Sequence, residues 1–192
     1  VIALIGNRPV LQVGRYQVSC YDSQWLRAAL ERAMARAERE DFPFVEEICQ
    51  GIFHYLENKC SLRLLPLTAL YEKMRRMLEQ IGCENIAREL MPLAPPVTLS
   101  LLRLVEEQEG CFELSLFSLL RREIDDLSAA GALEIHVVQA RETVLRIRQA
   151  QKWDRGCERL MGEIEIFLQS YKPQVADAVS MTMVMHGQVQ GA

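Results

Sequence analysis

No uninterrupted apolar run in this chain approaches the roughly 18 residues that a membrane-spanning helix requires. Its opening, VIALIGNRPV, has neither the basic n-region nor the long apolar core of a secretory signal. The expectation is a cytoplasmic protein with no membrane partner. Clustered cysteines are missing too. Cys20, Cys49, Cys60, Cys83, Cys111 and Cys157 are scattered without a C-x-x-C pair, which excludes the stapled framework of a small secreted domain and reads as reduced thiols. There is no surplus of positive charge: 22 basic against 26 acidic side chains give a net charge of -4, so nothing attracts the whole chain to nucleic acid or anionic lipid. A glycine-rich phosphate loop of either common type is also lacking.

What is present is an ordinary globular composition, with hydrophobic residues at 49% and charged residues at 25%. A chain of 192 residues suffices for one domain or two small ones. The first signal is extended: Val1 to Ile5 and Val10 to Cys20 flank the turn-forming Gly6-Asn7-Arg8-Pro9, which predicts a β-hairpin. Helical periodicity follows. Asp22 is placed to cap a helix carrying Leu26, Ala29, Leu30, Ala33, Met34 and Ala37, with Tyr21 before it as a staple. The same spacing recurs through Val45, Ile48, Cys49, Ile52, Phe53 and Leu56, then through Leu67, Leu70, Tyr71, Met74 and Leu78, and a short fourth helix surrounds Ile86, Ala87 and Leu90.

Met91-Pro-Leu-Ala-Pro-Pro96 is the natural boundary, because its prolines break helices and stiffen a linker. Beyond it, helices are expected over Leu99 to Gln108 and Leu116 to Ala129, a second antiparallel hairpin over Leu133 to Val138 and Thr143 to Arg148, and a long helix from Gln149 to Tyr171. Alternation in Val179 to Met185 suggests an extra strand that pairs with that hairpin or with another subunit. The fold class is therefore α+β and mostly helical, organised as a lobe over 1–91, a lobe over 97–172 with a small antiparallel sheet, and a tail over 173–192.

A hairpin, the step Tyr21-Asp22 into a helix with Leu26 after it, and three further helices ending in an Ile-Ala-Arg-Glu-Leu run together resemble the ATP-cone domain. That family regulates ribonucleotide reductases and occurs in a repressor of their genes. The resemblance covers about residues 1–91 and implies ATP or dATP as ligand, held around Val1, Ile2, Gly6, Arg8, Arg15, Tyr21 and Trp25. The family's hairpin usually carries a Lys-Arg pair ahead of its glycine turn to grip phosphate. Ala3, Leu4 and Ile5 stand there instead, so charge-assisted phosphate contacts would have to come from Arg8 and Arg15.

Other chemistry is thin. His54, His136 and His186 have no local partner pattern, and combining His54 with Cys49 and Cys60 gives no recognised metal spacing. The runs Glu46-Glu47, Glu106-Glu107 and Asp125-Asp126 read as solvated helix faces. The second lobe offers a winged-helix alternative in which Arg121, Arg122, Arg141, Arg146 and Arg148 contact DNA phosphates. Charge weighs against it: residues 97–192 hold 10 basic and 14 acidic groups, while residues 1–96 hold 12 of each. The leading expectation is thus a non-enzymatic regulatory or interaction protein that binds a protein partner or itself and has no metal or obligatory cofactor. A nucleotide sensor and a DNA-binding regulator are the alternatives.

Overall fold

The computed structural model describes residues 8–39, 42–108, 112–173 and 180–183. The chain divides into two compact units, Val1–Val97 with Ala130–Ala132, and Thr98–Ala129 with Leu133–Ala192. The architecture is α+β and mostly helical, as composition and periodicity predict.

In the first unit, β1 (Val10–Val13) and β2 (Tyr16–Val18) pair antiparallel, with Leu11 opposite Val18 and Val13 opposite Tyr16. The turn is Gly14-Arg15, and Gly14 supplies the left-handed φ of 56° that a tight hairpin needs. The hairpin therefore folds within the run expected to be its second strand. Val1 to Ile5, the expected first strand, lies outside the described residues. Alternation does its usual work here: Leu11, Val13 and Val18 are buried on one face.

Helix α1 (Gln24–Arg36) begins two residues after Asp22, whose carboxylate accepts from the Gln24 N–H at 2.9 Å. Leu26, Ala29, Leu30, Ala33 and Met34 of its stripe are buried, as the spacing predicts, while Ala37, at the C-cap, is only half-buried. Helices α2 (Val45–Asn58), α3 (Leu67–Gln80) and α4 (Glu84–Glu89) complete the helical set. Between α2 and α3 the strand β3 (Leu64–Pro66) lies parallel to β1, giving the mixed order β2-β1-β3. Three residues with only Leu65 buried leave no periodic trace, so β3 is invisible to pattern reading.

The proline-rich segment after α4 is tied down by side chains of α3. Tyr71, fully buried, donates to the Leu93 carbonyl at 2.8 Å, and Arg75 donates twice to the Leu90 carbonyl. Ala94 donates to the carbonyl of Gly131, whose φ of 96° and approach to Pro92 leave no room for a side chain.

The second unit contains β4 (Val97–Ser100), which starts where the units divide, α5 (Leu101–Glu106), α6 (Glu113–Ala129), β5 (Glu134–Val138), α7 (Ala140–Arg148), α8 (Arg155–Ser170) and β6 (Ser180–Met183). The strands form one parallel sheet in the order β4-β5-β6, correcting the expected antiparallel hairpin. Thr143 to Arg148 is helical. Ala140, Thr143 and Val144 are buried at helical spacing, and Gln139 turns the chain in the left-handed region at φ 60°. A parallel neighbour cannot follow a tight turn, so α5–α6 and α7–α8 act as the crossovers. The long helix is correspondingly shorter than expected. Gln149, at φ 51°, closes α7, and Asp154 caps α8 by accepting from the Cys157 N–H at 2.8 Å. The tail strand pairs with β5 of its own chain, Glu134 opposite Ser180 and Val137 opposite Met183. Val97, Leu99, Ile135 and Val137 are buried while Thr98, Glu134, Ser180 and Thr182 are exposed, so one sheet face is packed and the other is polar and open.

Candidate functional site

The residues expected to hold a nucleotide are used by the first unit as structure. Arg8 donates from Nε and Nη2 to Glu57 on α2, at 2.8 and 2.7 Å, and from Nη1 to the Tyr21 carbonyl at 2.9 Å. Its guanidinium also lies 5.1 Å from the centre of the Phe53 ring. Tyr21 is buried and donates to the Pro9 carbonyl at 2.7 Å, and burial pushes its phenol up to about 12. Trp25 is 5% exposed and meets Tyr21 edge-on with ring centres 6.3 Å apart. The buried Tyr21, Trp25 and Tyr71 and the half-buried Phe53 make a linked aromatic cluster. One polar atom there is unsatisfied, since Trp25 Nε1 is buried without an acceptor.

Arg15 sits in the β1–β2 turn, its guanidinium over the Tyr16 ring. Arg8 precedes β1 and Arg15 follows it, so roughly 20 Å of extended chain separates them and they do not converge on one phosphate. With the turn at Gly14, the positions immediately before it are Gln12 and Val13, and a Lys-Arg pair is missing in this register too. Val1, Ile2 and Gly6 lie outside the described residues.

A different site opens between α2 and α3. Gly51, Ile52 and Tyr55 from one helix and Leu70, Lys73, Met74 and Met77 from the other line an apolar groove of about 220 Å³. A side chain at position 51 would meet nothing within 4 Å, so the glycine leaves the groove open. Lys73 stands at the rim, donating to the Tyr55 hydroxyl at 2.6 Å with its ammonium 5.0 Å from the ring centre. Periodicity assigns Ile52, Leu70 and Met74 to the core, and each is indeed buried. What could have revealed the groove was the glycine inside an otherwise regular helical pattern, a substitution that costs a helix about 1 kcal/mol and so calls for a reason.

In the second unit the five arginines do not form a stripe. Arg148 donates to Glu113 at 2.8 Å and its guanidinium packs against Gly156, while Arg141 lies 4.4 Å from the Trp153 ring centre and Arg121 5.5 Å from that of Tyr171. The hydrogen bond that Arg148 donates to the Glu113 carboxylate raises its guanidinium further above the usual range. Arg141, Arg146 and Arg148 belong to α7, so the wing that would have presented them to DNA is a helix. Arg122 lies exposed on α6, and Arg146 borders a wider cleft of about 900 Å³ between α5 and α7.

The histidines stay apart: His54 faces Asn58 at 3.2 Å and His136 faces Glu134 at 2.7 Å, while His186 lies outside the described residues. Of the acidic runs, Glu46 pairs with Arg27, Glu107 with Arg103, and Asp125 accepts from the Tyr171 hydroxyl. Cys49 and Cys157 are buried, and burial pushes the Cys49 thiol up. Among the described residues no group of three or more His, Cys, Asp or Glu is arranged to hold a metal ion, and no helix is long and apolar enough to cross a membrane. No protein-family model matches the chain, and no curated protein or solved structure matches it.

Proposed function

We propose that this protein is a non-enzymatic interaction module, with a first unit resembling an ATP-cone, that receives a segment of a protein partner in the α2–α3 groove. The observation that carries the reading is the groove itself: an apolar trough, kept open by Gly51, floored by the adaptable thioether side chains of Met74 and Met77. Helix-in-groove docking is the recognition mode such a surface suits. The nucleotide reading is the weaker one, because Arg8 is engaged by Glu57, the Tyr21 carbonyl and Phe53, while Tyr21 and Trp25 have no free ring face for a base. The DNA reading is weaker again, since Arg121, Arg141 and Arg148 are each held by a partner within the second unit.

The test is a selection of displayed helical peptides on the intact protein, counter-selected on Gly51→Leu. Peptides that bind the wild type and are lost on the filled groove are the expected result; binders indifferent to Gly51→Leu would place recognition elsewhere. A thermal titration with ATP and dATP runs alongside. Saturation at about 100 times a dissociation constant adds about 2.7 kcal/mol of stability, so a specific nucleotide shift abolished by Arg15→Ala would favour the sensor reading instead.

A further inference from the structure

Resting on the reading of the α2–α3 groove as a docking site, we infer that its occupant is an amphipathic helix of a partner protein carrying one large apolar side chain and, about one turn away, an aspartate or glutamate. Size supplies the first part. At about 220 Å³ the groove lies below the range of roughly 300–1,000 Å³ typical of sites that enclose a small molecule or cofactor, and it accommodates a single apolar anchor. Its walls are two helices with an open side between them. A third helix laid along that opening seats one side chain in the trough while its flanking residues meet the rim.

Charge supplies the second part. Among the described residues Lys73 is the one charged side chain lining the groove, and it is exposed. Its ammonium is steadied by the Tyr55 hydroxyl and ring, and among the described residues no carboxylate lies within ion-pair distance of it. An incoming carboxylate would give that ammonium a charged acceptor, a stronger partner than a neutral phenol.

Among the described residues the two most exposed apolar side chains, Phe112 and Leu114, flank Glu113, whose carboxylate is already held by Arg148, so this segment of a second copy is a poorer occupant.

The experiment uses the peptides selected on the wild type and counter-selected on Gly51→Leu, with affinities measured by fluorescence anisotropy for wild type, Gly51→Leu, Lys73→Gln and Lys73→Glu. Melting curves check each variant's fold; Gly51→Leu replaces an exposed helical glycine and should melt at the same temperature or higher. The expected peptides carry Asp or Glu three or four positions from Leu, Met or Phe. Lys73→Glu should weaken them about tenfold, an effect that fades at high salt and is recovered when the peptide's acid is changed to lysine. Groove-dependent peptides with no acidic preference, or with equal affinity for Lys73→Glu, would overturn this inference and leave the docking reading standing. No groove-dependent peptide at all would overturn both. Self-association of the wild type that disappears in Gly51→Leu would assign the groove to a second copy and likewise reject the partner described.

Discussion

Among the described residues, the buried aromatic side chains all belong to the first of the two units. In the first, Tyr21, Trp25 and Tyr71 are buried, and both tyrosine hydroxyls donate to backbone carbonyls, of Pro9 and Leu93 respectively. In the second, the core is aliphatic, with Leu116, Leu120, Ile124, Ile135, Val137, Val144 and Ile164 fully buried. Its aromatics sit at the margin instead: Phe117, Phe167 and Tyr171 are half-buried along the seam of α6 and α8, and Trp153 lies beneath Arg141. An aliphatic core is specified mainly by volume and pattern, whereas a core of tyrosines must also satisfy each hydroxyl. In the first unit the Pro9 and Leu93 carbonyls supply the acceptors, and Arg8 braces the same cluster through Glu57, the Tyr21 carbonyl and the Phe53 ring; the α2–α3 groove is the surface we propose for recognition.

The contrast can be broken most decisively at Tyr71. Tyr71→Ala should cost about 4 kcal/mol in denaturant unfolding, while Phe167→Ala, at the half-exposed seam, should cost less than half as much. Equal losses would mean that the seam is as much a core as the aromatic cluster. Next comes Gly131→Ala, where a φ of 96° and a methyl only 2.5 Å from the Pro92 carbonyl oxygen predict a loss of about 2 kcal/mol or more. Because Ala130–Ala132 belong to the first unit, the loosening should appear as faster amide exchange at Ala94.

A smaller effect is expected at Arg8. Arg8→Ala should lower stability by about 1 kcal/mol through the lost contacts to Glu57, the Tyr21 carbonyl and Phe53, without changing any response to ATP. The smallest concerns Asp154, whose carboxyl is held below its ordinary range chiefly by the Cys157 N–H. A depressed folded pKa means stabilisation that is present above the unfolded value and lost as the pH falls through the folded one. The difference in melting temperature between wild type and Asp154→Ala should accordingly be full at neutral pH and shrink on acidification below about pH 4.

These predictions draw on features the sequence exposes unevenly. The helices of the first unit were legible because each carries a clear apolar stripe between proline, glycine or polar punctuation, and most residues assigned to those stripes, Leu26 to Met34 and Leu67 to Leu78 among them, are buried, with Ala37, Val45 and Phe53 only half-buried. The parallel sheet was not, since its pairings join strands far apart in the chain, as Glu134 with Ser180. Thr143 to Arg148 misled because its apolar residues satisfy both a period of two and a helical period over so short a window. The site was least legible. The fate of Arg8 is decided by Glu57, 49 positions away, and three of the groove's lining residues, Ile52, Leu70 and Met74, double as core positions, so that Gly51 within a regular helical pattern was the sequence's main signal of it.

Calorimetric affinity of a selected helical peptide for wild type and Gly51→Leu tests the central claim most directly, because the substitution fills the groove and leaves the aromatic cluster untouched. The expected result is a loss of about tenfold or more in affinity with an unchanged or higher melting temperature. Undiminished binding to the filled groove would contradict the assignment of the α2–α3 surface as the recognition site.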